Sequence, residues 1–189
     1  AGEPPTVTFT VKDKAGNPLI ASDLNRLRLR LVGPTSDYPF APGYEDAREA
    51  PGSSDGRYTY TFTEPIPADA TGSWAIGVES RQVVTLLPGT VKEMDVRDTA
   101  YNDIVYFPVD GSAVEPRRAI VSLDKCNACH ASLGFHGGNR NEPAYCAMCH
   151  NPTEVGEGAD ETTEEPIDLR TMVHRIHTGA DLDRPYYVG

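Results

Sequence analysis

The sequence predicts two parts of different class: an all-β N-terminal domain, built as an antiparallel β-sandwich or split barrel, and after it a loop-rich, mostly non-β segment with one C-terminal helix. Three observations carry this. Short runs alternate apolar and polar residues with period 2 through the first 110 residues, the mark of half-buried strands. That region contains no Cys and no His. Every cysteine lies instead in the 25-residue stretch CNACHASLGFHGGNRNEPAYCAMCH, Cys126 to His150, together with three of the five histidines.

Taken in order, TVTFTV sets Val7, Phe9 and Val11 on one face, and the AGNP turn at Ala15 to Pro18 follows it. LRLRLV does the same with Leu27, Leu29 and Leu31, YTYTFT with Tyr58, Tyr60 and Phe62, and WAIGV with Trp74, Ile76 and Val78. VVTLL near Val83 and IVYFPV near Ile104 complete the set. Trp74, the only tryptophan, reads as a core anchor. No cysteine pair flanks it, which excludes the antibody-type disulfide between sheets. The Pro-, Gly- and acid-rich stretch from Gly33 to Gly56 reads as a surface excursion. Alternation ends near residue 110, so the expected division is a β domain over 1–110, a linker over 111–118 (GSAVEPRR) and a cofactor-bearing segment over 119–189.

Charge and hydropathy bound the function. A net charge of -11 argues against nucleic acid, whose phosphates need clustered Lys and Arg. No apolar run approaches the roughly 18 residues of a membrane helix. The start, AGEPPTVTF, has no basic or apolar signal region and reads as a processed or cloned terminus, with no cysteine near it to carry a lipid. The segment after Gly111 is poor in large apolar residues, and so small a core needs a staple.

The two Cys-x-x-Cys-His units supply one. In a zinc reading, Cys126, Cys129, Cys146 and Cys149 form a four-thiolate site, with sixteen residues between the pairs. In a haem reading, each pair forms thioethers to one haem, and the histidine after the second Cys, His130 or His150, lies under the iron as proximal ligand. The histidines favour haem. Four thiolates leave zinc no use for His130 and His150 at identical offsets, whereas two bis-histidine haems want four histidines from the five present. A redox disulfide in each pair explains neither the duplication nor the histidines.

His136, in GFHGGN, is a distal-ligand candidate, and Gly137 and Gly138 leave room for close backbone passage. The other two candidates, His174 and His177, lie in IDLRTMVHRIHTGA, where Leu169, Met172, Val173 and Ile176 recur at helical spacing between an Asp168 N-cap and a Gly179 stop. One turn apart, they can reach two different irons. Arg170, which falls between them in angle on the same helix face, could pair with a propionate. His136 follows His130 by six residues, a link spanning about 20 Å at most. That length hardly passes round one haem edge, so His136 is expected on the second haem. The helix then serves the first haem with His174 or His177, and its other histidine points to a third iron.

The run LDKCNACHASLGFHGGNRNEPAYCAMCHNP with IDLRTMVHRIHTG closely resembles the OmcA/MtrC-type multihaem cytochromes of metal-reducing bacteria, and TGSWAIGVE and VYFPVDGSAVEPRRAIV resemble that family's β domain and its lead into the haem domain. The resemblance implies a non-enzymatic electron carrier with two covalently bound haem c groups. It would be exported to the extracellular face of the outer membrane, with the periplasm as alternative. Implied partners are other multihaem cytochromes, metal oxides or soluble electron shuttles. The family usually alternates β domains with multihaem domains, whereas this chain has two motifs; it is expected either within a longer cytochrome or as the protomer of a filament sharing a histidine between chains. A haem reductase with an open iron position is a third, weaker expectation, since three distal candidates face two irons.

Overall fold

The computed structural model describes residues 1–157 and 164–187; the rest of the expected 119–189 segment, residues 158–163 and 188–189, lies outside the described residues. β1 (Thr6–Thr10) pairs antiparallel with β4 (Arg57–Thr61) as a two-stranded sheet. A five-stranded antiparallel sheet centres on β5 (Ser73–Leu86), flanked on one side by β2 (Arg26–Val32) and beyond it β3 (Tyr44–Asp46). β6 (Met94–Thr99) and β7 (Asp103–Pro108) pair in succession along β5, β6 with Arg81–Leu86 and β7 with Ser73–Val78.

The alternation in LRLRLV dictates how these layers meet. Leu27, Leu29 and Leu31 are each at most 2% exposed and pack with Val7, Phe9, Tyr58, Phe62, Trp74 and Ile76 in a core shared by both sheets. Each fully buried side chain of this size stabilises the fold by about 1.5–3 kcal/mol. Trp74 stacks obliquely on Phe40 and anchors the core as expected. The two sheets face each other as open layers, and none closes into a barrel among the described residues.

The structure corrects the sequence reading in four places. WAIGV and VVTLL are one 14-residue strand, β5, whose second half leaves the core and forms an exposed two-stranded arm with β6. β6 itself, MDVRDT, has no apolar alternation and is held by backbone register to β5. The stretch from Gly33 to Gly56 is no surface excursion: it contains β3, and Tyr38 and Ala47 within it are fully buried. The later segment has three helices instead of one, α1 (Leu123–His130), α2 (Pro143–Cys146) and α3 (Leu169–Thr178), and a small hairpin of β8 (Val155–Glu157) and β9 (Glu164–Pro166).

This segment covers the outer face of the five-stranded sheet. Tyr145 and Met148, both fully buried, pack with Val32, Tyr38 and Ala75 in a second cluster. They lie directly on Gly77: a Cβ there would stand 2.6 Å from Met148 Sδ and 2.8 Å from the Tyr145 ring. A glycine inside a strand marks such a close approach. Polar contacts add to the seal. Buried Glu79 accepts from Arg26 Nε at 2.6 Å and from Arg140 Nε at 3.0 Å, tying β2, β5 and the later segment together. Residues 111–118 are strapped to the β layers as well: Thr35 Oγ1 donates to the Glu115 carbonyl, and Arg117 and Arg118 both donate to Asp37.

Candidate cofactor sites

α1 carries Cys126, Cys129 and His130, opening after Ser122 with none of its residues buried. α2 opens at Glu142, whose side chain accepts from the Ala144 N–H, has Pro143 in its first turn, and ends at Cys146. Hydrogen bonds from the Cys149 and His150 N–H groups to the Cys146 carbonyl carry the helical turn through the second motif. No disulfide joins the four cysteines. Burial pushes the Cys146 thiol up to about 11 and raises Cys149 too, the opposite of the low-pKa thiolate that a redox disulfide uses. Among the described residues no three Cys, His, Asp or Glu side chains converge at metal-binding range, so the four-thiolate site expected as a minor alternative is not assembled.

The histidines come together in two pairs. His130 on α1 faces His177 on α3 with ring centroids 6.0 Å apart and planes at 86°. His136 faces His150 with centroids 6.2 Å apart and planes at 27°. His174, one turn before His177, is exposed and stands apart from both pairs.

Local structure aims three of these rings. α3 begins where the Asp168 side chain accepts from the Thr171 N–H and ends at Gly179, whose φ is 43° and whose N–H bonds the Arg175 carbonyl. The His177 Nδ1 lies 2.7 Å from the Val173 carbonyl, and the His150 Nδ1 lies 3.0 Å from the Ile167 carbonyl. An Nδ1–H donated to a carbonyl fixes the tautomer and leaves the Nε2 lone pair free to bind a metal. His136 sits at φ 52°, a left-handed conformation uncommon for a residue with a side chain, in a turn closed by mutual hydrogen bonds of Phe135 and Arg140. Asn139 Nδ2 donates to the His136 carbonyl at 2.6 Å. Gly137 and Gly138 continue the turn with φ of 75° and 87°, and a side chain at Gly137 would strike Arg97 of β6. The glycines are thus required by the turn and the strand beneath it. Burial lowers the pKa of both His136 and His150, and Arg140 lowers both further, so these imidazoles stay neutral.

Of the other sequence candidates, Arg170 is exposed. Met172 is half-buried, and Met148 is fixed in the cluster under Tyr38. β2 also carries a basic face that the sequence does not announce. Arg26, Arg28 and Arg30 alternate with the core leucines on the opposite face of the strand, half-buried to buried, and only the leucine face carries a core signal in its period.

Residues 118–186 match the family model of outer membrane cytochromes of the MtrC/MtrF-like kind, domains II/IV. The multiheme cytochrome MtrC of Shewanella baltica (strain OS185) is 31% identical over 129 residues, which cover 65% of this chain and 18% of that protein. The chain therefore spans less than a fifth of the curated relative it matches. The family match falls on the segment bearing both Cys-x-x-Cys-His units and the paired histidines, and there the chain is similar to the MtrC/MtrF-like multihaem cytochromes.

Proposed function

We propose that this chain relays electrons through two covalently attached haem c groups, each held between two histidines. Cys126 and Cys129 would attach the first haem, with His130 proximal and His177 distal. Cys146 and Cys149 would attach the second, with His150 proximal and His136 distal. The observation that carries this is the spacing of the two imidazole pairs, 6.0 and 6.2 Å between centroids. An imidazole nitrogen binds a transition metal at about 2.0 Å and the ring centre lies about one ångström further back, so two rings on one metal stand about 6 Å apart. The same reading takes residues 1–110 as the β domain and 119–189 as the haem segment joined by 111–118.

Bound haem supplies one-electron exchange at low potential, bis-histidine ligation lacking the Met that raises it. The chain's own residues hold the imidazoles neutral and aimed. The Val173 and Ile167 carbonyls orient His177 and His150, and the turn locked by Phe135, Asn139 and Arg140 presents His136. With two histidines at each site to hold the haem iron, no place would remain for substrate on the metal, which favours a carrier over a reductase. The outer-membrane, extracellular setting and the exchange with other cytochromes, shuttles or metal oxides are proposed from the family. No helix among the described residues is long and apolar enough to cross a membrane.

His174 supports a second element of this reading. Exposed and apart from both pairs, it is free to serve a further iron, in a longer cytochrome or in a neighbouring protomer. Visible spectra of the purified holoprotein test the whole scheme. Two haems per chain, low-spin in both oxidation states and unaltered by carbon monoxide, are expected; a high-spin or carbon-monoxide-binding fraction, or bound zinc without colour, would overturn it.

A further inference from the structure

Strand register places an unusual charge on the outer face of the five-stranded sheet. Directly paired residues share a face. Arg26 pairs with Arg81, Arg28 with Glu79, Arg30 with Gly77, and Arg81 in turn with Thr99, two residues from Arg97. Arg26, Arg28, Arg30, Arg81 and Arg97 therefore share the face opposite the leucine core. Arg140 joins them from the later segment: it donates to the Tyr44 hydroxyl, and Arg28, Arg30 and Arg140 all lie 5.1–5.3 Å from the Tyr44 ring centre. Six of the 17 basic residues of a chain with net charge -11 thus converge on one wall.

Acidic partners are too few. Glu79 is shared by Arg26 and Arg140, and Asp46 is engaged by Arg48. Arg30 is 7% exposed, yet its Nε, like that of Arg81, is buried without an acceptor. Leaving a buried guanidinium N–H unpaired is costly, so the wall calls for anions. The segment over it is the one carrying the second histidine pair: Tyr145 and Met148 lie on Gly77, Gly137 packs on Arg97 and Gly138 on Thr99.

We infer that this arginine wall is the carboxylate-binding floor of the second haem site, where Arg30 and Arg81 receive the propionates of the haem attached at Cys146 and Cys149. The inference rests on the bis-histidine assignment of His136 and His150. It goes further in giving that haem the higher potential of the two. Adding one electron removes one positive charge from the iron, with no bond broken and no proton moved. Fixed guanidinium groups and burial favour the less positive state. At the first pair, His130, His177 and Cys129 are all exposed, so water would stabilise an oxidised iron held there. Electrons shared between the two haems would rest on the one over the wall.

Spectroelectrochemical titration of the holoprotein tests this in wild type, Arg30→Gln, Arg30→Lys and Arg81→Gln. Two midpoints are expected in wild type. Arg30→Gln and Arg81→Gln should each lower the upper midpoint and leave the lower one in place, and Arg30→Lys should restore it. If Arg30→Gln fails to fold, Arg81→Gln at the half-buried strand edge decides alone. Unmoved midpoints with an intact low-spin spectrum would sink the inference while leaving the ligand assignment standing. A high-spin wild-type spectrum would instead defeat the ligand assignment. Titration with inorganic phosphate separates propionates from a free anion: a saturable shift of the wild-type midpoint would show the wall open to solution anions and overturn the proposal.

Discussion

Asn102 and Asn141 hold each other's backbones: the Asn102 N–H donates to Asn141 Oδ1 at 3.0 Å and the Asn141 N–H donates to Asn102 Oδ1 at 2.9 Å. Their amide groups reach outward from this exchange. Asn102 Nδ2 donates to the Val78 and Asn139 carbonyls, and Asn141 Nδ2 donates to the Ala100 carbonyl. Both residues are under 9% exposed. The pair works like two rungs of a sheet ladder joining the β6–β7 junction to the chain between the two haem motifs.

Asn102→Ala removes one acceptor and two donors and leaves the Asn141 N–H buried without a partner. A net hydrogen bond is worth about 1 kcal/mol and an orphaned buried group costs about 1–3 kcal/mol, so a loss of about 2–4 kcal/mol is expected. Urea denaturation followed by tryptophan emission and by haem absorbance should give this loss as one coincident transition. Separate transitions would show that the junction does not couple the two parts.

Gly77→Ala should act on the same junction by sterics. The added methyl meets Met148 Sδ and the Tyr145 ring inside contact distance, and neither can retreat into the sheet. Overpacking of this kind costs about 1–3 kcal/mol. Limited proteolysis should then cut between Gly111 and Pro143 while residues 1–110 stay intact. Wild-type resistance in the variant would mean that α2 is not seated on the strand as found.

Much of this architecture was legible in the chain, and the gaps have physical causes. The leucine side of β2 announces a core through its period. The arginine side does not, because arginines alternating with leucines ordinarily face water, and the segment that covers them lies over a hundred residues further on. α1 is not legible in the sequence because it buries none of its own side chains and so has no apolar stripe to show. The offsets of His130 and His150 after their cysteines make them ligand candidates from the sequence alone. Assigning His136 to the second site needed the length of its link to His130. Choosing His177 over His174 needed the rotation of α3, which sequence spacing left open.

Replacing Cys126 and Cys129 together with Ala should loosen α1 and α3 while sparing α2. α1 has no buried residue and α3 buries only Leu169, so without a first haem neither offsets an ordering cost of about 1.5 kcal/mol per residue. α2 keeps Tyr145 and Met148 in the sheet. Hydrogen exchange is expected to rise over Leu123–His130 and Leu169–Thr178, with Pro143–Cys146 still protected. Protection of α1 in the double variant would contradict this.

Acid should undo the start of the 111–118 segment at a defined pH. The Asp110 carboxylate accepts from the Gly72 N–H at 2.6 Å and from the Ser112 N–H at 3.0 Å, and these donors lower its pKa to about 2. An unfolded Asp titrates near 3.9. Because the folded value is the lower one, this contribution is complete above about pH 4 and fades as pH falls toward 2. Asp110→Asn should therefore flatten the pH dependence of stability between those limits and leave it unchanged above pH 5. An equal slope in variant and wild type would exclude Asp110 as the source.

The two histidine pairs differ in ring orientation, and that difference is measurable. The angle between axial imidazole planes governs how far the iron d-orbitals split in the oxidised low-spin state. Near-perpendicular planes leave two orbitals almost degenerate and give a strongly anisotropic electron paramagnetic resonance signal. Near-parallel planes separate them and give an ordinary rhombic one. The His130–His177 planes stand at 86° and the His136–His150 planes at 27°, so oxidised holoprotein should show one signal of each kind in equal amounts. His177→Ala should abolish the anisotropic signal, and His136→Ala the rhombic one, each variant gaining one high-spin haem. His174→Ala should change neither. Loss of a low-spin signal in His174→Ala, with His177→Ala unaffected, would reverse the roles of the two helix histidines and place α3 about a sixth of a turn from where it is found.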